Sequence, residues 1–237
     1  MRNEGKRLAL PAREVALIGV FASLHIILYL IPMPLWRNWA ILIEPIMGVI
    51  LGPWVGYLAA LIGSTMARVI KPTELWMFGV FAEPLGALAA GFLAKGNWKP
   101  ILAIYVVMLS AYFIHPLGRQ LPLWPILDVL LSLALIYPTA KISKRLSEDG
   151  IKHLTMPLIL IALVSIAMDA LARIFLFIPA GLYSFFGLTN GAVYIIFVTD
   201  AINSFIEDAL VVITAFIIGP PILTAIRRAS WLRIPLS

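Results

Sequence analysis

The sequence lacks cysteine altogether and is poor in histidine. None of its 237 residues is a cysteine, which excludes disulfide bonds, thiolate metal sites and cysteine nucleophiles. The histidines, His25, His115 and His153, lie on separate segments without a His-Glu-x-x-His motif, so a zinc hydrolase would have no ligand set. The sequence also has no phosphate-binding P-loop, so this chain alone cannot hydrolyse ATP. We therefore expect no metal site, no cofactor and no enzymatic activity.

Charged residues are scarce as well, at 13% of the chain, whereas about a quarter of a soluble domain is charged. In their place 62% of the residues are hydrophobic, and the mean hydropathy is +0.99. The apolar residues fall in long runs, which indicates an all-α integral membrane protein. The net charge of +6 does not indicate a nucleic-acid partner, because Lys and Arg collect in the cytoplasmic loops of such proteins. We expect the lipid bilayer to be the main surrounding of the chain.

The apolar runs between charged residues, prolines and glycines predict about eight transmembrane helices. Several runs are shorter than the roughly 20 residues that cross a bilayer. The first apolar run follows a charged N-terminal segment, and no small-residue cleavage site follows the run. It is therefore expected to be a membrane helix rather than a signal peptide. The predicted spans are 14–31, 36–51, 53–70, 75–94, 100–115, 122–140, 154–178 and 193–219.

The pair Gly52-Pro53 decides whether residues 36–70 form one kinked helix or two helices. Eight spans with a cytoplasmic N-terminus place 13 of the 18 basic residues on the inner side, as the positive-inside rule requires. A single span would instead move the basic segment 141–152 outside. Because proline cannot continue a helix and glycine tolerates unusual backbone angles, we predict a tight turn. The expected protein is one domain, residues 1–237, in the plasma membrane, with both termini cytoplasmic.

Small residues recur at every fourth position around this turn. In lipid, such a stripe lets helices approach closely, so we predict helix packing rather than ligand binding for it. The stripe comprises Gly48, Gly52, Gly56, Ala60 and Ser64.

Ionisable residues within the predicted spans concentrate in their outer halves, which is typical of an outward-opening pocket. Asp169 and Arg173 are four residues apart and can pair on one helix. Arg68 can similarly neutralise Glu44 or Glu74. Arg68 and Arg173 would therefore either bind an anionic group of the ligand or serve as internal counter-ions. The surplus of carboxylates favours a cationic ligand, a hydrogen-bond donor or protons. The predicted substrate-binding residues are Glu44, Arg68, Glu74, Trp76, Asp169, Arg173, Tyr183, Asn203 and Glu207.

Several segments resemble the substrate-binding S components of energy-coupling factor transporters. The element Leu-Gly-Pro-x-x-Gly at residues 51–56 is followed by a Gly/Ala-rich helix and then by "GFLAKG" at 91–96. Residues 200–228 resemble the last helix of that family, with Asn203 at its matching Asn position. Nickel or cobalt uptake is disfavoured, because the chain begins "MRNE" rather than Met-His.

The resemblance implies a six-helix core, here residues 13–94 and 154–228, with residues 100–144 as an inserted helix pair. It further implies capture of a small vitamin-like or precursor solute from outside. A transmembrane T component and ATPase subunits would then drive uptake. The T component would dock on small residues of the first helix, here Ala12, Ala16, Gly19 and Ser23.

Two other functions stay open at this point. One is a solitary secondary transporter coupled to protons through the intramembrane carboxylates, which would work in liposomes without ATPases. The other is a membrane enzyme acting on a lipid-linked substrate, which would show activity in detergent.

Overall fold

The computed structural model describes residues 12–35, 37–147 and 151–228, and within these ranges it contains helices but no strand. Four short 3-10 helices connect the α-helices, at Trp39–Leu42, Gly118–Gln120, Trp124–Ile126 and Ser143–Ser147. The α-helices are α1 Ala12–Leu30, α2 Glu44–Leu51, α3 Pro53–Ile70, α4 Trp76–Ala94, α5 Lys99–Ile114, α6 Leu127–Ile142, α7 Ile151–Phe177, α8 Leu182–Phe185 and α9 Asn190–Arg228.

The helices form a bundle with α4 and α7 at its centre. These two pack against each other, α4 also contacts α2 and α3, and α7 also contacts α5, α6 and α9. Two-thirds of the residues in their apolar stretches are buried, against 28% for α9. The small side chains of α4 explain its position, because alanine and glycine let several neighbours approach one helix at once.

The prediction of an all-α membrane protein is confirmed in its broad form. Five helical stretches are long and apolar enough to cross a membrane by length and composition: 53–70, 76–94, 124–146, 153–177 and 190–226. Helices also occupy the other three predicted spans, but the apolar stretches 14–30 in α1 and 99–114 in α5 have fewer than 18 residues, and α2 has only eight. Eight residues extend about 12 Å, against about 30 Å for the hydrocarbon core. The count of eight spans therefore stays a prediction.

The segment between α1 and α3 is broken rather than continuously helical. Residues 31–35 and 37–38 have no regular helix, Trp39–Leu42 form one 3-10 turn, and α2 begins only at Glu44. Arg37 and Asn38 lie in this break and are buried. In a membrane, irregular backbone is tolerated only inside the protein or along a water-filled cavity, which is where this break lies.

The predicted turn at Gly52-Pro53 is confirmed. Gly52 has φ 77° and ψ 177°, a conformation that is essentially restricted to glycine, and Pro53 is the first residue of α3. The small residues beside it pack as predicted. A Cβ atom on Gly48 would overlap the backbone of Ala87 on α4, and one on Gly91 would overlap Pro53.

The loops lie alternately at the two ends of the bundle. We call one end the cavity end; it contains the connections 31–38, 71–75, 115–126 and 178–189. The opposite end contains the turn at Gly52, the connection 95–98 and the 3-10 helix Ser143–Ser147. The close contacts of Gly48 and Gly91 lie toward this opposite end, so small residues close the bundle there.

Candidate functional site

Glu83, in the middle of α4, is fully buried and accepts hydrogen bonds from several segments of the chain. Its Oε1 accepts from Nη2 of Arg68 at 2.5 Å and from Nδ2 of Asn38 at 2.9 Å. Its Oε2 accepts from Nη1 of Arg68 at 3.1 Å and lies 3.1 Å from Nε2 of His25. Nη2 of Arg173 approaches Oε1 at 3.4 Å. Two guanidinium groups therefore balance one buried carboxylate.

Asp169, on α7, connects this cluster to the break before α2. The side chain of Arg173, one turn further along α7, donates to both of its oxygens at 2.9 and 3.1 Å. Nε of Arg37 lies 3.0 Å from Oδ2 of Asp169. The predicted pairing of Asp169 with Arg173 is confirmed, and Arg37 is a second cation on the same carboxylate.

Arg37 also connects the network to α9. Its backbone N–H donates to Oε1 of Glu207 at 2.6 Å, and its Nη1 and Nη2 groups donate to Asp208 and Ser204 at 3.2 and 3.1 Å. The carboxyl group of Asp208 lies beside that of Asp128 on α6. Oδ1 of Asp128 and Oδ2 of Asp208 are both buried without a hydrogen-bond partner, and two adjacent carboxylates repel each other.

Buried carboxyl groups outnumber buried guanidinium groups in the described part of the chain. Glu44 is 1% exposed, and its Oε1 has no hydrogen-bond partner. An uncompensated buried carboxylate is costly, so the surplus calls for protons or for a bound cationic or donor group. The six buried acids are Glu44, Glu83, Asp128, Asp169, Glu207 and Asp208, against Arg37, Arg68 and the 12%-exposed side chain of Arg173.

His25, Glu44 and Glu83 place potential metal-ligating atoms within 4.8 Å of one another. Both oxygens of Glu83, however, already accept hydrogen bonds from Arg68. A metal cation on Glu83 would face that guanidinium group at close range. The arrangement therefore favours an ion-pair cluster over a metal centre.

Two cavities adjoin at the cavity end, since both are lined by Arg37, Glu74, Leu75, Phe78 and Arg173. The first, of about 640 Å³, is the basic cavity. Besides the shared residues, it is lined by Tyr29, Ile31, Pro32, Met33, Asn38, Arg68, Lys71, Pro72 and Thr73. Exposed residues 71–74 form part of its wall, so it opens at this end of the bundle.

The second cavity, of about 410 Å³, is the acidic cavity. Three carboxyl side chains line it in addition to Glu74, namely Asp128, Asp200 and Glu207. The rest of its wall is mainly apolar and aromatic, with Phe177, Phe186 and Phe197 beside the shared Phe78. Both volumes lie in the range of about 300–1,000 Å³ that is usual for small-molecule sites.

The structure brings together most, but not all, of the predicted substrate-binding residues. Glu44 and Asp169 belong to the buried network, whereas Arg68, Glu74, Arg173 and Glu207 line one or both cavities. Trp76 is 51% exposed, and neither it nor Tyr183 nor Asn203 lines either cavity. The ring of Tyr183 packs against Phe177 and His115. The acid that pairs with Arg68 is Glu83, not Glu44 or Glu74 as proposed from the sequence.

Sequence reasoning missed the residues that organise this site. Arg37 and Asn38 follow two prolines in a segment that hydropathy treats as a loop, and His25 is isolated in an apolar helix. Glu83 and Asp208 lie within predicted spans, but the sequence assigns no partner to either. The available signal was the polar pair Arg37-Asn38 between a proline-rich segment and a very short apolar run, which is typical of a broken membrane segment at a binding site.

Comparison of the chain with protein-family models, with curated proteins and with solved structures gave no match.

Proposed function

We propose that the protein is a membrane substrate-capture subunit of the S-component type, which binds a small vitamin-like solute at the cavity end. A T component and ATPase subunits would then drive uptake of the captured solute. The observation that carries this proposal is the pair of adjoining cavities at one end of the bundle, beside a buried network of ion pairs. Charges inside a membrane protein are costly, and those that persist commonly belong to a substrate pathway.

The network would give such a site its rigidity. Arg37 contacts carboxylates on α7 and α9, and Arg68 and Arg173 are fixed by Glu83. Side chains already held in place lose little conformational freedom when a ligand binds, which favours affinity. Because the cations reach the cavity surface from fixed positions, they would discriminate between solutes by charge.

The close packing at the opposite end supports capture from one side of the membrane. Gly48 and Gly91 allow α2, α3 and α4 to meet without space between them, whereas the cavities open at the other end. In the proposed orientation the cavity end faces outside, both termini are cytoplasmic, and the membrane is the plasma membrane. Residues 36–51 would form the second of eight crossings.

The first helix offers an open face to a partner subunit. The predicted docking residues Ala12, Ala16, Gly19 and Ser23 are all exposed. A Cβ atom on Gly19 would meet nothing within 4 Å, so no other part of the described bundle covers this position. Small residues on an uncovered face suit the close approach of another membrane helix.

Solute capture can be tested by titrating the purified protein with water-soluble vitamins and their precursors. Tryptophan fluorescence is the signal measured during the titration. Trp39 and Trp76 flank the cavity end, and the side chain of Trp39 donates to the backbone of Pro32 in the basic cavity wall. We expect one saturable change with one member of the panel. Folded protein that responds to no member would contradict the proposed capture of a vitamin-like solute.

A second candidate, a solitary proton-coupled carrier, is favoured by the carboxyl pair of Asp128 and Asp208. This pair adjoins the acidic cavity, because Asp128 lines it. Proton exchange there would couple solute movement to a pH gradient. Solute transport by the protein alone in liposomes, driven by a pH gradient, would favour this candidate over the first, whereas binding without transport would favour capture.

A further inference from the structure

The basic cavity presents cations to a ligand and keeps the compensating carboxylates behind them. Arg37, Arg68 and Arg173 all line it, as does Lys71 on its exposed rim. Their strongest acidic partners, Glu83 and Asp169, line neither cavity. Apart from the exposed Glu74 on the rim, the charge is therefore polarised, with guanidinium groups on the cavity wall and their paired carboxylates in the protein interior.

The acidic cavity has the reverse arrangement on the side formed by α6 and α9. Asp200, Ser204 and Glu207 recur at helical spacing on one face of α9 and line the wall together. Asp128 lies on the adjoining wall, and its buried Oδ1 has no hydrogen-bond partner. Asp200 forms no ion pair within the described residues. A cationic group placed there would find the carboxylate of Asp200, which no protein cation pairs with in the described residues, beside that of Asp128.

Aromatic rings lie between these two charged regions. Phe78 belongs to the wall that both cavities share, and Phe177 packs edge-on against it with ring centroids 6.1 Å apart. Phe197 extends the apolar wall of the acidic cavity. A flat apolar body would pack against these rings, with one polar end in each cavity.

From this arrangement we propose that the solute is a zwitterion. Its anionic group binds the cations of the basic cavity, its aromatic or otherwise flat body packs against Phe78 and Phe177, and its cationic group binds beside Asp128 and Asp200. This inference rests on the proposed function, since it names the class of solute that the capture site takes.

Three rigid probes separate the two charge requirements: 4-(aminomethyl)benzoate carries both charges, benzoate carries only the anion, and benzylamine carries only the cation. Isothermal titration calorimetry of the full-length protein in lipid nanodiscs measures their affinities. We expect the zwitterion to bind at least about tenfold more tightly than either singly charged probe, because only the zwitterion makes charged contacts in both cavities.

Two variants assign the charges to their cavities. Lys71→Gln should weaken binding of the zwitterion and benzoate but not of benzylamine. Asp200→Asn should weaken binding of the zwitterion and benzylamine but not of benzoate. Two control variants lie near the opposite end of the bundle. Lys95→Gln removes one positive charge, as Lys71→Gln does, and Glu14→Gln removes one negative charge, as Asp200→Asn does; neither should change the affinity for any probe. Lys71 is exposed and Asp200 half-buried, so both variants should fold.

A zwitterion that binds no more tightly than benzoate or benzylamine would overturn the inference. Equal losses for all three probes in both variants would also overturn it, because the two charges would then not be read separately. If a vitamin binds but none of the three probes does, capture stands and the zwitterion inference fails. If the vitamin panel is silent but the probes follow the expected order, the inference stands and vitamin capture fails.

Discussion

Glu83 is the point at which four other segments of the chain meet. His25 reaches it from α1, Asn38 from the break before α2, Arg68 from α3 and Arg173 from α7. It lies on α4, a helix rich in glycine and alanine, and is completely buried. Its carboxylate therefore fixes the positions of two arginines that line the basic cavity.

Glu83→Gln should destabilise the protein strongly. The amide cannot balance the charges of Arg68 and Arg173, and removing one member of a buried ion pair typically costs about 3–5 kcal/mol. Thermal unfolding of the purified variant in detergent measures the change. Glu74→Gln is the matched control, because Glu74 is exposed on the cavity wall and should leave the unfolding temperature nearly unchanged. Similar unfolding temperatures for both variants would show that Glu83 does not hold the network together.

Asp169→Asn and Glu207→Gln should separate a structural carboxylate from a binding one. Asp169 is fully buried between Arg37 and Arg173 and lines neither cavity, so its variant should yield little folded protein. Glu207 lines the acidic cavity, and its amide can still accept the backbone hydrogen bond of Arg37. We expect Glu207→Gln to fold but to bind solute about tenfold more weakly. Size-exclusion chromatography and titration calorimetry give the two readouts, and a loss of folded Glu207→Gln would assign it to the structural class.

Among the elements, the contact of α2 with α4 depends on the absence of a side chain at Gly48. A Cβ atom there would overlap the carbonyl group of Ala87, which is backbone and cannot rotate away. Gly48→Ala should therefore destabilise the protein by about 1–3 kcal/mol, as overpacking does.

Gly19→Ala is the same substitution in an open environment. Nothing lies within 4 Å of the added methyl group on α1, so only helix propensity should act, and it favours alanine by about 0.5–1 kcal/mol. Denaturant titrations of both variants compare the free energies of unfolding. Equal effects of the two substitutions would contradict the assigned packing of α2 on α4.

Sequence reasoning predicted the elements better than the contacts between them. Hydropathy, together with the proline and glycine at 52–53, placed helices within all eight predicted spans, because those signals are local. The i,i+4 pair of Asp169 and Arg173 was predictable for the same reason. The partner of Arg68 was not, since the choice among three glutamates depends on how α3 and α4 align. The role of Arg37 depends on tertiary packing, because its partners lie more than 100 residues away.

At the scale of the whole molecule, the proposed orientation can be tested directly, because the chain has no cysteine that would give background labelling. Thr73→Cys lies in the connection from α3 to α4 at the cavity end, and Lys144→Cys lies in the 3-10 helix at the opposite end; both positions are exposed. A membrane-impermeant maleimide should label Thr73→Cys on intact cells. Lys144→Cys should react only after the cells are permeabilised. The reverse pattern would place the cavities on the cytoplasmic side.

The hydrogen bond from Arg37 to Glu207 joins residues 170 positions apart and has a consequence for biosynthesis. The ribosome delivers α1 to α4 to the membrane well before α7 and α9 are made, so Arg37 emerges without any of its three acidic partners. A nascent chain ending at residue 147 would still lack Asp169, Glu207 and Asp208. Arg37 therefore stays without its native carboxylate partners until α7 and α9 have been made. A chain that stalls before α9 carries unpaired charges that quality-control proteases can recognise.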